Sequence, residues 1–420
     1  MSDTLRIRMY NVGFGDCFLL TLPGPLTLLV DAGFHAAGKG MFTAKGLVEQ
    51  VISDVREVHH RPRIDVVIAT HRHADHIYAF NAAEWDQVEV GEVWMPWVED
   101  RKNPEARKLW KGQHKFATSL AAARKSMRLS DDELKDVEFI LWNAGLDIPG
   151  MALEGAAASW SNARALECLH EGFARRDLDA PRFLPDADCP ETFTTEVLPG
   201  VKVHVLGPMR DPDLIEELDP SSDDETYRAL RLVAGDATQE LVAPPFSEDW
   251  HVDESAAGGE LAPEDVERLE ALARGVNPVF AAEKVDGMVN STSLVLVLQV
   301  GKARLLLPGD AEWGTWKQIL ANEKSLRHLK GATFFKVGHH GSHNATAKTL
   351  VERVLPRNIP AMISTQEGPG NYRKNIPLAD LLGALHEHGI EYVRSDKAEE
   401  PPEGFSAEAD AKWIDLEIPC

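Results

Sequence analysis

The segment Thr70-His71-Arg72-His73-Ala74-Asp75-His76 places three imidazoles and a carboxylate within six positions. Neutral imidazole nitrogens and carboxylate oxygens suit Zn²⁺ and, less selectively, Mn²⁺ or Fe²⁺. A turn can fold side chains this closely spaced toward two neighbouring points, His71 and His73 serving one ion and Asp75 and His76 the other. A lone histidine is more often a surface or core residue than a ligand, but this spacing of ligand types reverses that expectation.

Two later segments carry the same kinds of residue. In Leu307-Pro308-Gly309-Asp310 an apolar strand delivers an aspartate, and in Lys336-Val337-Gly338-His339-His340-Gly341-Ser342 another delivers paired histidines. An H-x-H-x-D-H cluster followed by these two elements in this order resembles the metallo-β-lactamase superfamily. The resemblance implies that Asp310 bridges two divalent metal ions and that one of His339 and His340 completes the second ion's shell. It leaves open which one. A bridging carboxylate would hold the ions roughly 3.5–4 Å apart, making a water or hydroxide between them nucleophilic near neutral pH. On this reading the metal ligands are His71, His73, Asp75, His76, Asp310 and His339 or His340, and the catalytic residues are Asp75, Asp310, His340 and His343.

The match is closer to one branch. Asn11-Val12-Gly13-Phe14-Gly15-Asp16, Val30-Asp31-Ala32-Gly33, Asn290-Ser291-Thr292-Ser293-Leu294-Val295, the Pro-Gly-Asp-Ala-Glu stretch and the Gly-His-His-Gly-Ser stretch resemble the hydrolase domain of ComEC-type competence proteins and their soluble relatives. The resemblance covers roughly residues 1–97 and 198–400. It implies action on phosphodiesters, including DNA and choline-phosphate esters. DNA uptake is not expected to transfer, because the competence proteins' membrane channel has no counterpart in the sequence.

This chain departs from the pattern twice. Where many superfamily members place another histidine, at the end of a strand like Val203-His204-Val205-Leu206-Gly207-Pro208, Gly207 stands instead. His204 would face the wrong way if Leu206 is buried, since residues two apart on a strand share a face. Competence-type domains also tend to carry His-Pro where Ile376-Pro377 lies here. Among nearby groups, Asp31 is expected to orient a ligand histidine or the loop, with a turn-forming role as the alternative, and Asp16 is a similar case. His343 is a candidate phosphate contact or proton donor, and Arg373 and Lys374 are candidate anion contacts. For all three the ordinary surface reading stands beside the functional one.

These residues need positioning elements. LRIRMYNV, CFLLTL and TLLVDAG, separated by glycine- and proline-rich turns, read as short strands. Phe42, Leu47, Val51 and Val55 have helical spacing, and the apolar run IDVVIAT is a buried strand that ends at the histidine cluster. Residues 98–197 become charged and alanine-rich and read as a mainly helical insertion. A second, acidic insertion is expected over about 211–286, with one helix at PEDVERLEALARG. STSLVLVLQVG, KARLLLPGD and TFFKVG then return to strand character. The expected fold is α/β, a metallo-β-lactamase αββα four-layer sandwich whose halves, 1–97 and 198–420, flank the helical insertion.

Of 420 residues, 44% are hydrophobic and 26% charged, which suits a globular chain with a substantial core. A formal net charge of −23 disfavours extended contact with polyanions. Bound divalent cations would reverse the sign locally, so a small anionic or phosphoester substrate is expected, with nucleotide or nucleic acid within that class. The four scattered cysteines suggest neither a zinc ribbon nor a disulfide framework, and with no signal-like start or membrane-length apolar run the expected location is cytoplasmic. A homodimer is compatible with these expectations. The leading functional reading is a binuclear phosphodiesterase or nuclease-like hydrolase. Hydrolysis of a lactam, lactone or thioester by the same fold, or a metal-stabilised binding or regulatory role, are the alternatives.

Overall fold

The computed structural model of the chain describes residues 4–35, 38–123, 162–177, 180–220, 225–227, 278–367, 376–399 and 401–420, with positions 137 and 140. Strands β1 (Thr4–Tyr10), β2 (Cys17–Leu22), β3 (Leu26–Ala32), β4 (Arg63–Ile68), β5 (Glu89–Pro96), β6 (Arg175–Arg176) and β7 (Arg182–Leu184) belong to one mixed sheet. Strands β8 (Glu191–Phe193), β9 (Val201–Gly207), β10 (Val295–Val300), β11 (Ala303–Leu307), β12 (Phe334–Lys336), β13 (Pro360–Ile363) and β14 (Glu391–Arg394) form a second. The chain then returns to the first sheet with β15 (Phe405–Ala407) and β16 (Trp413–Pro419), giving the order β15-β16-β1-β2-β3-β4-β5-β6 with β7 also on β5. In the second sheet the strands run β14-β13-β12-β11-β10-β9-β8.

Side-chain alternation explains the layering. Leu5, Ile7, Phe18 and Val66 of the first sheet meet Val203, Leu296, Leu305 and Phe334 of the second in one buried core. The residues next to them along the strands face outward. Leu19, Leu29 and Val67 pack under α1 (Ala44–His59) through Leu47, Val51 and Val55. Val297, Leu306 and Phe335 pack under α7 (Trp313–Ala321) and α9 (Ala379–Glu387) through Trp316, Ile319, Leu381 and Leu385. The order is therefore helix, sheet, sheet, helix, an α/β architecture in which β4 is apolar on both faces because both are covered.

The remaining helices are α2 (Ala74–Ile77), α3 (Pro104–Ala123), α4 (Asn162–Glu171), α5 (Pro212–Glu216), α6 (Pro278–Asn290) and α8 (Glu323–Leu329). Helices α3 and α4 fall in the segment read as a mainly helical insertion, but that segment also sends β6 and β7 to the edge of the first sheet and β8 to the second. Unsatisfied edge amides on β5 and β9 account for this recruitment. The helix expected at PEDVERLEALARG lies outside the described residues, whereas α6 runs through the expected end of the acidic insertion. All four cysteines are free, and among the described residues no helix is long and apolar enough to cross a membrane.

Candidate metal centre

The histidine cluster begins at the carboxyl end of β4, Asp310 follows β11, and the paired histidines follow β12. Three strand ends thus converge on one place, the usual location of a ligand site in layered α/β folds. Close backbone approach makes the convergence possible. A side chain at Gly33 would lie 1.9 Å from the backbone of Asp75, and one at Gly309, which has φ +55°, would lie 2.8 Å from Ser293 Cβ. Two consecutive non-glycine residues, His339 and His340, take φ values of 44° and 54°. Such left-handed strain, about 1–3 kcal/mol per residue, concentrates at functional loops.

Asp31, at the end of β3, organises the cluster. Its carboxylate accepts from the Thr70 amide and from the Thr70 hydroxyl, each at 2.7 Å, and from His76 Nδ1 at 2.8 Å. This is the orienting role expected of it. Each of three imidazoles uses one nitrogen outward in this way: His71 Nδ1 lies 3.2 Å from Thr70 Oγ1, His76 Nδ1 is on Asp31, and His340 Nδ1 donates to the Ser364 carbonyl at 2.7 Å. The Phe14 ring lies with its centroid 4.1 Å from that of His340, tilted by 47°, and closes that side with an apolar wall.

The other nitrogens point inward. His71 Nε2 is 3.0 Å from His73 Nδ1, His76 Nε2 is 3.0 Å from Asp310 Oδ2, and His340 Nε2 is 3.2 Å from Asp75 Oδ2. Two ligand atoms on one tetrahedral ion with bonds near 2.0–2.1 Å stand roughly 3.3 Å apart, so these spacings fit shared coordination. Among the described residues two groups have ligand atoms close enough to hold a cation, His71 with His76 and Asp310, and Asp75 with His76 and His340, and His73 is in neither. A third, Asp16 with Asp31 and His76, is already filled, because His76 Nδ1 is committed to Asp31 and the Lys336 ammonium contacts Asp16.

Charge supports the same reading. Asp16, Asp31, Asp75 and Asp310 are each at most 2% exposed, and Lys336 is the buried lysine facing Asp16 and Asp310. Buried carboxylates in excess over buried cations are costly unless further positive charge is supplied. Desolvation opposes charge on His76, but Asp310, Asp31 and Asp16 overcome it and hold its pKa well above the usual histidine value. Burial, then the neighbouring imidazoles His76 and His73, hold His71 well below that value, and burial likewise lowers His73. Those two rings are thus neutral and available as ligands.

Of the paired histidines, His340 enters the cluster and His339 does not. The His339 amide donates to Asp310 Oδ1 at 3.0 Å, while its ring faces Asn290 and Glu312 at 3.5 and 3.9 Å. His343 lies at the rim with its side chain 39% exposed, 3.2 Å from Asp219. Arg373 and Lys374 lie outside the described residues. At Gly207 a side chain would meet Thr315 and Val295 on the helix side. His204 faces away from the cluster, between Thr192 and Gln299.

Three participants had no role in the sequence reading. Lys336 neutralises the buried carboxylates, Ser364 fixes His340 through a backbone carbonyl that leaves no side-chain signal, and Glu312 accepts from Asn290 and Asn344 at 3.1 and 2.6 Å. Burial, reinforced by Asp219, raises the Glu312 carboxyl well above the usual range. Its only signal was its place two residues after Asp310.

No family model matches the chain. Among curated proteins, ComE operon protein 3 of Bacillus subtilis (strain 168) aligns over 108 residues at 30% identity, covering 26% of this chain. The alignment spans 13% of that protein's length, so the chain is similar to a small part of it.

Proposed function

We infer that the chain is a binuclear metal-dependent hydrolase of the metallo-β-lactamase type, acting on small phosphodiesters. The observation that carries this reading is the clustering of His71, His76 and His340 with Asp75 and Asp310, with His73 Nδ1 3.0 Å from His71 Nε2. Helix-sheet-sheet-helix layering is the architecture that this type requires. The motif resemblance to ComEC-type hydrolase domains and the partial likeness to ComE operon protein 3 favour phosphorus over carbonyl substrates.

His71 and His73 would hold one divalent ion and Asp75, His76 and His340 a second, with the Asp310 carboxylate beside His71 and His76; Zn²⁺ suits this donor set first, then Mn²⁺ or Fe²⁺. When bound, the ions supply Lewis-acid polarisation of a phosphoryl oxygen and an activated water. The protein's own contribution is positioning. Asp31, Thr70 and Ser364 fix ring orientation, Lys336 and the His339 amide hold Asp310 in place, and Phe14 excludes water beside His340. Asp286 and Asp219 lie near Glu312 and make one side of the centre acidic, which suits a small phosphoester better than a long polyanion.

Turnover of bis(p-nitrophenyl) phosphate by Zn²⁺- or Mn²⁺-loaded protein, with Asp310→Ala as control, tests the assignment. Activity lost in the variant is expected. Equal rates in the two proteins would overturn it, and faster hydrolysis of nitrocefin or an acyl-homoserine lactone would reassign the chemistry to carbonyl carbon.

A further inference from the structure

His71, His76 and His340 each have an outward partner for the nitrogen that does not face the cluster. The corresponding atom of His73 is Nε2, since its Nδ1 faces His71. Facing that Nε2 at 3.4 Å is Oδ1 of Asp286, within ion-pair range although the two atoms do not form a hydrogen bond as they stand. Both groups are buried, His73 at 1% and Asp286 at 8% exposure.

Asp286 comes from α6, which packs against α3, so a carboxylate from outside the cluster's own strands reaches over the loop. The ring geometry decides what it does there. The two nitrogens of an imidazole point in divergent directions, so an oxygen beside Nε2 cannot also bind an ion held at Nδ1. Asp286 therefore does not take the coordination place left by Gly207. A carboxylate accepting the remote N–H of a ligand histidine instead fixes its tautomer and raises the basicity of the other nitrogen.

We propose that Asp286 is the positioning residue of His73: it accepts the Nε2 proton, keeps the Nδ1 lone pair turned toward the ion shared with His71, and so ties α6 to one half of the metal centre. The inference rests on the metal-centre reading and adds to it a specific asymmetry. Loss of Asp286 weakens the ion held by His71 and His73 and spares the ion held by Asp75 and His340. A residue important only for packing would weaken both through general loosening.

The test is chelator-competition titration of Zn²⁺ and Co²⁺ into full-length wild type, Asp286→Ala and Asp286→Asn. It is paired with ¹⁵N-histidine NMR of the Zn²⁺ forms, the His73 signal being assigned with His73→Gln. In Asp286→Ala one ion of the two is expected to weaken about 10- to 100-fold and the His73 Nε2–H signal to lose its protection from exchange. Asp286→Asn, whose amide oxygen still accepts, should recover part of the affinity. It also serves if the alanine variant fails to fold. Wild type with two ions and variants with unchanged affinities and an unchanged His73 signal would overturn this inference alone. Equal weakening of both ions would overturn it too. Wild type that binds no ion would overturn the metal-centre reading and the inference with it.

Discussion

Asp31 holds the imidazole of His76 from behind: its Oδ2 lies 2.8 Å from His76 Nδ1, while His76 Nε2 reaches Asp310 at 3.0 Å. A carboxylate only accepts hydrogen bonds, so the ring donates from both nitrogens, and this is the origin of its raised pKa. A divalent ion would replace the Nε2 proton and leave the Asp31 contact intact.

Replacing Asp31 by asparagine keeps the shape and removes the charge behind the ring. Metal affinity should fall about 10- to 100-fold, the usual cost of losing an outer partner of a ligand histidine. Competition with a chromophoric chelator measures it. Undiminished affinity in a folded Asp31→Asn protein would show that the contact only shapes the turn.

The paired histidines should separate by experiment. His340 is fully buried with Nε2 on Asp75, whereas the His339 ring faces Asn290 and Glu312. His340→Ala should lose one ion per chain, an effect larger than the roughly 10–100-fold cost of removing an outer partner. His339→Ala should keep the metal content of wild type. Elemental analysis after gel filtration reads both, and the opposite pattern would reverse the assignment.

The parts of the centre that were legible in the sequence are those whose information is local. His71, His73, Asp75 and His76 announce themselves because four ligand groups fall on one loop after an apolar strand; α1 follows from helical spacing and β4 from a continuous apolar run. His339 and His340 could not be separated, because the answer lies in two successive positive φ values that no side-chain pattern specifies. Asp286 was out of reach for another reason. It is an ordinary helical aspartate, 213 residues from its partner His73, and only the packing of α6 brings them together. The segment 98–197 looked separate because its composition is helical, yet its three short strands complete the sheet edges by backbone hydrogen bonds, which composition does not encode.

Lys336 bears on the charge balance of the centre. It is 1% exposed, contacts Asp16 and lies 3.7 Å from Asp310. Lys336→Met would leave buried carboxylates uncompensated, and the metal-free protein should lose on the order of 3–5 kcal/mol. Zn²⁺ should stabilise the variant more than it stabilises wild type, because the ion then neutralises charge that the ammonium no longer does. Urea unfolding with and without Zn²⁺ checks both statements. A variant as stable as wild type without metal would show that Asp16 and Asp310 are not held as carboxylates by this lysine.

Far from the centre, His204 and His328 stack with ring centroids 3.8 Å apart. Burial, then His204 and the nearby Arg304, Lys324 and Arg327, lowers the His328 pKa to about 4, and burial lowers His204 as well. An unfolded histidine titrates near 6.5, so between about pH 6.5 and 4 the unfolded chain binds more protons than the folded one. The stability from keeping His328 neutral is therefore fully present above pH 6.5 and is lost as pH falls toward 4, with no further loss from this group below that. His328→Gln cannot take up the proton. Its melting temperature should fall less steeply than that of wild type across this window, and the two curves should converge in slope above pH 7. Parallel curves throughout would mean that the stacked pair accepts the proton without cost.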